Sequence, residues 1–275
     1  MDQRTVVITG ASDGIGAAAA RALSERGDRV VVVGRSAAKT RALAEELGAP
    51  HHLADFADLD QVRRLAEELR EAYPRIDVLA NNAGGVMGAR EVTADGHEKT
   101  LQVNHLGPFL LTHLLLDRLR EARATVINTS SAAARLFGRI DLHDLHNERR
   151  YSAQKAYGDG KLANILFTRE LHRRHGDAIA TAAFHPGVVA TSFATESHSL
   201  FRAFYRTSLR RFFMLTPEQG ADTLVWLATT RPGQDWTPGA FYEKRRPQRT
   251  NPQADDASLA AGLWDRSAAL VGLPA

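Results

Sequence analysis

The stretch Thr9-Gly10-Ala11-Ser12-Asp13-Gly14-Ile15-Gly16 is the strongest guide to the fold, because it joins the apolar run 6–8 to the helix-forming run 17–23. Glycines let the backbone approach a ligand closely, and the first N–H groups of a helix have no partner within that helix. A strand that ends in spaced glycines and continues into a helix is typical of a phosphate-binding turn. The segment predicts a bound nucleotide contacted by Gly10, Ser12, Asp13, Gly14, Ile15 and Gly16. The alternative is a turn without a ligand.

Composition limits the classes of protein to which the chain can belong. With 275 residues, 44% of them hydrophobic, and no linker-like segment, the chain 1–275 is expected to form one domain. It contains no cysteine, which excludes disulfides and thiolate metal sites. We find neither a signal peptide nor an apolar run long enough for a membrane span, and expect a cytoplasmic protein. Basic and acidic residues are interspersed despite the net charge of +3, so nucleic-acid binding is not expected.

Apolar runs rich in β-branched residues alternate with helical patterns along the chain. The patterns predict strands at 4–9, 29–34, 50–54, 76–80, 124–129, 178–184 and near 239–242. They predict helices at 14–27, 36–48, 58–72, 94–120, 150–175, 217–229 and 256–271. This alternation predicts an α/β fold: a doubly wound, Rossmann-like parallel sheet with helices on both faces. A ligand of such a sheet lies beyond the carboxyl ends of the strands, where the strand order reverses.

The residues after the second and third strands bear on the identity of the nucleotide. Arg35 stands where an acidic residue would bind the ribose 2′-hydroxyl of NAD, and its guanidinium suits a 2′-phosphate instead. NADP(H) is therefore favoured and NAD(H) remains possible; the alternative is an ordinary solvated arginine. Asp55 is predicted to face the adenine amino group, or else to cap the helix at 58–72.

Two later strand ends also carry residues suited to a bound nucleotide. Asn82, Ala83 and Gly84 are small enough for the backbone to pass close beneath it. The turn 185–191 contributes backbone groups and one hydroxyl that could contact a carboxamide. The predicted contacts in that turn are Pro186, Gly187, Val189 and Thr191.

Tyrosine and lysine stand four residues apart twice, as Tyr157 with Lys161 and as Tyr151 with Lys155. Residues four apart share a helix face. An ammonium about 4 Å from a phenolate favours the anion by about 4 kcal/mol at an effective dielectric near 20, which moves the phenol pKa from about 10 towards 7. The pairs face different directions. About 21 Å of helix follows Lys161, which matches the roughly 20 Å of the next strand and favours Tyr157 and Lys161.

At this point the sequence resembles the short-chain dehydrogenase/reductase family over nearly its whole length. The resemblance rests on the glycine turn, 81–84, 128–131, the pair Tyr157 and Lys161, and 186–187, all in the family's order. The stretches 101–107, 156–167 and 185–189 are similar to the branch that holds retinol dehydrogenases and WW-domain oxidoreductases. In that branch a Lys-Leu-Ala-Asn run follows the catalytic lysine, which again favours Lys161.

The resemblance implies roles for four residues. Tyr157 would donate or accept the proton, Lys161 would lower the tyrosine pKa and bind the ribose, Ser131 would bind the substrate oxygen, and Asn104 would support a water relay. Ser131 could otherwise be a turn or cap residue, and Asn104 a residue whose local bond bends its helix. Gly158 and Gly160 depart from the common pattern. Close approach of a nicotinamide would explain Gly160, and nothing in the sequence explains Gly158.

Two inserted segments flank the predicted site. The segment 135–150 contains histidines and carboxylates, but its alternation with leucine is typical of a solvated loop, and no metal site is expected. The segment 194–215 has aromatic residues at helical spacing and arginines on another face. We interpret it as a lid over an apolar substrate. Contact of 198–214 with a membrane surface, or with another subunit, is the alternative.

These observations predict an NADP(H)-dependent oxidoreductase that acts on a carbonyl or alcohol of a bulky apolar small molecule. The alternative is a dinucleotide-sensing or scaffold protein on the same fold without turnover. The resemblance also implies a homodimer or homotetramer formed through the helices at 94–120 and 150–175.

Overall fold

The computed structural model describes residues 3–187 and 215–274. In chain order the strands are β1 (Thr5–Thr9), β2 (Arg29–Gly34), β3 (His51–Leu53), β4 (Val78–Asn81), β5 (Thr125–Thr129), β6 (Ala180–His185), β7 (Phe241–Glu243) and β8 (Arg246–Pro247). The helices are α1 (Gly14–Glu25), α2 (Ala37–Leu47), α3 (Leu59–Ala72), α4 (Lys99–Leu101), α5 (Gly107–Leu114), α6 (Leu116–Ala122), α7 (Ala133–Leu136), α8 (Ala153–His175), α9 (Pro217–Thr229) and α10 (Ala257–Leu270). A π-helical segment covers Gln102–Leu106, and a 3₁₀ turn covers Pro252–Asp255.

The strands form one sheet in the order β3-β2-β1-β4-β5-β6-β7-β8, parallel except for β8. The chain runs outward from β1 through β2 and β3, and then returns to place β4 on the other side of β1. The strand order therefore reverses between β1 and β4, which is where a doubly wound sheet binds its ligand. The doubly wound parallel fold predicted from the sequence is confirmed.

Successive side chains of the strands supply two cores. Val7 packs with α3, α5 and α8 on one face, and its neighbours Val6 and Ile8 pack with α1 and α9 on the other. Both faces of the sheet are covered, so these strands carry almost continuous apolar sequence. The same arrangement leaves only the ends of the strands accessible to a ligand.

The helix predicted at 94–120 is instead a broken series. Glu98 caps its start by accepting from the N–H groups of Thr100 and Leu101, so the residues before it form a turn. The π-helical segment follows, and α5 ends at Leu114, because the next residue, Leu115, has a φ of −96° and a ψ of 1° that interrupt the helix. These breaks arise from local hydrogen bonding. They do not interrupt the apolar periodicity of the sequence, so the pattern predicted one continuous helix.

The short antiparallel strand β8 is not predicted by the sequence pattern. The turn between β7 and β8 uses Lys244 and Arg245 with positive φ angles of 51° and 60°. Two-residue hairpins require such angles, but Gly, Asn or Asp normally supplies them. The usual hairpin signal is therefore missing from this sequence.

Helix α8 is enclosed by its own chain. Apart from Tyr157 and Arg169, its residues from 156 to 171 are buried. Trp264 of α10 packs edge-on against Phe109 of α5, with ring centroids 5.3 Å apart, and also contacts Phe167 of α8. Helix α10 thus covers apolar surface on the two helices for which the sequence implied self-association.

Candidate active site

The loops after β1 and β4 meet at the reversal of strand order. The N–H groups of Asn82 and Ala83 each donate to Thr9 Oγ1 at 3.0 Å, and Asn82 Nδ2 donates to the Thr9 carbonyl at 3.1 Å. Gly10 has a φ of +63°, and a Cβ there would lie 2.8 Å from Ala83 Cα. Glycine is required because the two loops cross without room for a side chain.

The amino end of α1 is directed at the same edge of the sheet. Asp13 caps the helix by accepting from Gly14 N at 2.7 Å, and a Cβ on Gly16 would overlap the Gly10 carbonyl oxygen. Ser12 lies in the same turn. The first N–H groups of the helix have no carbonyl one turn earlier, so they can bind a phosphate. This turn therefore fits a dinucleotide.

A cluster of charge lies beside this turn. Arg35 follows β2 and is exposed, and Lys39 on α2 binds Asp13 with Nζ 2.7 Å from the carboxylate. The lysine offsets the negative charge that Asp13 brings to an otherwise anion-binding edge. Sequence reasoning missed Lys39, although it lies in the first turn of α2.

Asp55 lies after β3 and closes a local turn by accepting from Ala57 N at 2.9 Å. The cap of α3 is Asp58, which accepts from Asp60 N at 3.0 Å and Gln61 N at 3.1 Å. The capping alternative considered for Asp55 is therefore wrong. Its contact with an adenine remains a prediction.

Lys161 is the most deeply buried charged group of the candidate site. It is 2% exposed, and its Nζ donates to the Thr129 carbonyl at 3.2 Å and lies 5.4 Å from the centroid of the Tyr157 ring. Burial lowers the pKa of the Lys161 ammonium to about 7. A bound anion or a developing phenolate would stabilise the charged form.

Asn104 lies in the π-helical segment and faces Lys161 across Gly84. Its Nδ2 donates to the carbonyls of Gly85 and Thr100 at 2.8 and 2.9 Å, and its Oδ1 accepts from Gly85 N at 3.1 Å. A Cβ on Gly84 would lie 2.6 Å from Asn104 Oδ1 and 2.9 Å from Lys161 Nζ. The bond to Thr100 is the local bond considered from the sequence, and the bonds to Gly85 also fix the loop after β4.

Ser131 lies two residues after β5, on the same edge of the sheet. Its Oγ accepts from Ala133 N at 3.2 Å, beside the start of α7. The adjacent Ser130 Oγ donates to the Lys161 carbonyl at 2.7 Å, so the loop after β5 is bonded to α8 at the catalytic candidate. Ser131 thus makes the turn contact considered from the sequence. Its neighbour Ser130 bonds the same loop to α8 at Lys161.

The second tyrosine–lysine pair has different surroundings. Tyr151 donates its phenol proton to the Gly88 carbonyl at 3.2 Å. Lys155 Nζ lies 2.5 Å from Asp159 and donates to the Arg139 carbonyl at 3.1 Å. This lysine therefore neutralises a carboxylate. Its spacing to Asp159 is the signal that could have identified the ion pair.

The two glycines inside α8 have packing reasons. A Cβ on Gly160 would lie 3.1 Å from Asn104 Cβ, so its contact is with the neighbouring helix. Helix packing therefore gives Gly160 a reason of its own, and its close approach to a nicotinamide remains a prediction. A Cβ on Gly158 would lie 2.7 Å from Gly138 N and 2.8 Å from Phe137 Cβ. The inserted segment thus packs directly on α8 at Gly158.

Pro186 and Gly187 follow β6 at the carboxyl edge, and Gly187 has a φ of +86°. The predicted contacts Val189 and Thr191, and the lid at 194–215 except Leu215, lie outside the described residues. Within 3–187 and 215–274 no three metal-ligating side chains cluster. In the same part of the chain, no helix combines the length and apolarity needed to cross a bilayer.

Asn164 is a further residue that sequence reasoning assigned only to a family run. Its Nδ2 donates to the Thr129 carbonyl at 3.0 Å, the same oxygen that Lys161 contacts. Nearby, His105 is fully buried with Nε2 2.9 Å from Ser267 Oγ, and burial lowers its pKa to about 4. The Thr129 carbonyl therefore accepts from both Lys161 and Asn164.

Comparison with known proteins identifies the family. Residues 4–199 match the family model described as short chain dehydrogenase. A candidate daunorubicin C-13 ketoreductase from Streptomyces sp. strain C5 is 48% identical, over 98% of this chain and 93% of that protein. Human retinol dehydrogenase 11 is 40% identical, over 98% of this chain and 86% of that protein.

A solved structure agrees in fold. The Pseudomonas aeruginosa RhlG/NADP active-site complex is 27% identical with a TM-score of 0.69, covering 86% of this chain and 93% of that chain. The order of motifs, the strand order and these relatives agree. The chain belongs to the short-chain dehydrogenase/reductase family and is an oxidoreductase that acts on C=O or CH–OH groups.

Proposed function

We propose that this protein is an NADP(H)-dependent reductase that transfers a hydride to the carbonyl of a bulky apolar ketone or aldehyde. The observation that carries the proposal is Lys161, a buried lysine beneath the Tyr157 ring, to whose Nζ no carboxylate within 3–187 and 215–274 is bonded. Such a cation is poised to stabilise a phenolate. The proposal assigns catalytic roles to four residues: Tyr157, Lys161, Ser131 and Asn104.

The coenzyme fits the carboxyl edge of the sheet. The glycine turn and the start of α1 would bind its phosphates, the loop 82–84 would lie beneath it, and Lys161 would bind a ribose hydroxyl. When bound, it supplies the hydride. The guanidinium of Arg35 suits a 2′-phosphate, and the NADP of the RhlG complex is consistent with this preference.

In the mechanism, Ser131 and Tyr157 donate hydrogen bonds to the substrate oxygen as negative charge develops on it. The Tyr157 hydroxyl then gives its proton to that oxygen. Lys161 stabilises the resulting phenolate, and Asn104 keeps the loop after β4 in place while supporting the return of a proton through water. Burial of Lys161 strengthens its attraction for the phenolate because little water screens it.

The names of two relatives support the proposed substrate class. Daunorubicin and retinol, which appear in the names of two relatives, are both large molecules with extensive apolar ring or chain systems. A carbonyl compound of similar character is the proposed substrate here. Reduction is the proposed direction.

The burial of helix α8 also affects the oligomeric state that we expect. Because α8 keeps almost no exposed apolar face and α10 packs beside it, we expect a monomer, or an assembly that does not use α8. Light scattering on the purified chain measures this directly. A dimer whose subunits contact each other through α8 would contradict the expectation.

The decisive experiment is a panel of ketones, aldehydes and alcohols assayed with NADPH and with NADH. We expect oxidation of NADPH by bulky ketones and slower turnover with NADH. Nucleotide binding without oxidation across the panel would favour a sensing protein instead.

Coenzyme preference has its own test in Arg35→Ala, with Arg41→Ala as the control because Arg41 is an exposed arginine on α2. Loss of a charge-assisted contact should weaken NADPH binding by about 10-fold to 100-fold and leave NADH binding nearly unchanged. Titration calorimetry measures both affinities. Equal weakening of NADPH and NADH would remove the role proposed for Arg35.

A further inference from the structure

Asn164 lies three residues after Lys161 on α8 and contacts the end of β5. Its Nδ2 donates to the Thr129 carbonyl at 3.0 Å, and Lys161 Nζ donates to the same oxygen at 3.2 Å. Residues three apart share a helix face, so the two side chains leave α8 in the same direction. Asn164 is only 2% exposed, and the proposed mechanism assigns it no role.

His105 belongs to the π-helical segment and is held by contacts with three helices. Its Nε2 lies 2.9 Å from Ser267 Oγ on α10. The centroid of its ring lies 5.9 Å from that of Phe109 on α5 and 6.1 Å from that of Phe167 on α8. These contacts fix the orientation of the imidazole, so the direction of Nδ1 is fixed as well. The preceding residue is Asn104, which shares this segment.

Two buried atoms of these residues are complementary. Among the residues that the structure describes, neither His105 Nδ1 nor Asn164 Oδ1 is hydrogen-bonded to any other group. Burial lowers the pKa of His105 to about 4, and hydrogen bonding by the Asn164 side chain raises it in part, so the two side chains are neighbours. A buried polar atom without a partner is costly. A proton on Nδ1 would satisfy both atoms and leave Nε2 to accept from the Ser267 hydroxyl.

We propose that Asn164 is a positioning residue for the Lys161 ammonium, and that the Nδ1–H group of His105 holds the Asn164 amide in the orientation that this role requires. The inference rests on the proposed reductase function, in which Lys161 stabilises the Tyr157 phenolate. One amide then joins three elements: β5 through the Thr129 carbonyl, the π-helical segment through His105, and α8 through its own backbone. All four proposed catalytic groups lie on these elements or directly after them.

The shared carbonyl explains how the amide acts on the lysine. A carbonyl oxygen has two lone pairs, and Asn164 occupies one of them, so Lys161 is confined to the other. In that position the Lys161 Nζ lies 5.4 Å from the centroid of the Tyr157 ring. Without the amide, the ammonium can turn towards the vacated lone pair and away from the phenol. A displacement of about 1 Å in a catalytic group can cost about 10²-fold in rate, so the effect is measurable.

The first test uses two substitutions of His105 that each keep one of its contacts. The amide of His105→Asn overlies Nδ1 and can donate to Asn164, whereas that of His105→Gln overlies Nε2 and keeps only the contact with Ser267. With NADPH and a ketone that wild type reduces, His105→Asn should keep kcat within about threefold of wild type. His105→Gln should lower kcat about tenfold and leave KM for the ketone nearly unchanged, because Lys161 acts on the phenolate and not on substrate binding.

Removal of the amide itself should have the larger effect. Asn164→Leu should lower kcat by about tenfold to a hundredfold, again with little change in KM. Thr168→Val is the matched control: Thr168 is buried on α8 one turn after Asn164, and its hydroxyl accepts from Asn128 Nδ2 at 2.9 Å. We expect this control to lower the melting temperature and to keep kcat within about threefold of wild type. Equal losses of kcat in the two variants would mean a structural role alone and would overturn the positioning role.

The second test requires no turnover. Nitrogen NMR of wild type without coenzyme, at about pH 7, distinguishes the two neutral tautomers of an imidazole, and the His105 signals are those missing from His105→Asn. We expect a neutral His105 ring with its proton on Nδ1. A proton on Nε2, or a charged ring, would overturn the contact with Asn164.

The outcomes separate this inference from the proposed function. If wild type reduces no carbonyl compound of the panel with NADPH, the proposed function fails and the positioning role fails with it. If wild type is active while His105→Gln and Asn164→Leu keep its kcat, the positioning role is refuted and the function stands. A lower kcat in His105→Asn than in His105→Gln would refute the role as well, because the wrong contact of the imidazole would then be the important one.

Discussion

The chain carries two tyrosine–lysine pairs of identical spacing, and their surroundings differ in almost every respect. Tyr157 and Lys161 both lie within α8, whereas Tyr151 precedes the helix that contains Lys155. Lys161 is buried, and its Nζ contacts a backbone carbonyl and the Tyr157 ring. Lys155 is partly exposed and bonded to Asp159. Tyr151 donates to a carbonyl of the loop after β4. Spacing brings a lysine near a tyrosine, but the neighbouring charges decide whether the lysine can act on a phenolate.

Within 3–187 and 215–274 no carboxylate is bonded to Lys161, whereas Lys155 is bonded to one, so we expect Lys161 to be the lysine that can stabilise a phenolate. Burial works against such a cation, which is why the Lys161 pKa lies near 7. Lys155 forms an ion pair with the Asp159 carboxylate, which neutralises its charge. The predictions that follow alter one pair or the other.

The largest expected effect is on turnover. Tyr157→Phe removes the proton donor and should lower kcat by about 10²-fold to 10⁴-fold. Tyr151→Phe removes one hydrogen bond to Gly88 and should cost about 1 kcal/mol of stability with kcat within about threefold of wild type. Steady-state kinetics with NADPH and a responsive ketone measure both. The reverse pattern would exchange the roles of the two pairs.

The second effect is steric and acts on the buried pair alone. Gly84→Ala would bring a methyl group into contact with Lys161 Nζ and Asn104 Oδ1, and should lower kcat/KM by about a hundredfold, as expected for misplaced catalytic groups. Gly88→Ala is the matched control, since a Cβ there meets no atom of the described residues within 4 Å. Equal losses in the two variants would show that chain flexibility, not the position of Lys161, is the cause.

The third effect concerns stability and the partnered lysine. Lys155→Met leaves the buried Asp159 carboxylate without its cation and should lower the free energy of unfolding by about 2 kcal/mol, a value reduced because Lys155 is partly exposed. Denaturant unfolding measures the change. Lys155→Arg should retain most of the stability. A Lys155→Met protein as stable as wild type would mean that the ion pair contributes nothing net.

The fourth effect is the smallest and has the opposite sign. In the absence of coenzyme, Lys161→Met should raise the free energy of unfolding by about 1 kcal/mol near pH 6, because it removes a buried ammonium. The lysine pKa is about 7 in the folded protein and 10.5 in the reference state. The unfolded chain therefore binds more protons between these values, and wild-type stability rises with pH across that window.

The gain from Lys161→Met should accordingly be constant below pH 7, fall above it and become a loss by about pH 8, since one pKa unit corresponds to about 1.36 kcal/mol. Unfolding of both proteins at about pH 6 and about pH 9 tests this, since other groups cancel in the difference. A gain that grows with pH would contradict the assigned direction of the pKa shift.

Much of the fold and part of the site could be predicted because their signals are local. The glycine turn, the apolar strands and the polar strand ends are each contained within a few residues, so their positions follow from the sequence. The length of one helix and the family's Lys-Leu-Ala-Asn run both favoured Tyr157 and Lys161 over the other pair. The roles of Tyr157 and Lys161 remain predictions that the experiments above address.

Other features depend on contacts between distant segments. Gly158 has a reason only when the loop at Gly138 is packed against it. The Thr129 carbonyl, which Lys161 and Asn164 share, is a backbone group and has no signature in any sequence. The break at Leu115 and the turn at Lys244 and Arg245 similarly arise from backbone angles that the residue types do not indicate.

The contact between α10 and the π-helical segment has a practical consequence for anyone who alters the chain. Ser267 of α10 contacts His105, and His105 is the neighbour of Asn104. Ser267 lies 162 positions after His105 in the sequence, yet the two side chains are in contact next to the segment that carries Asn104. We therefore expect fusions, affinity tags or shortened versions that disturb α10 to disturb the π-helical segment that carries Asn104 as well.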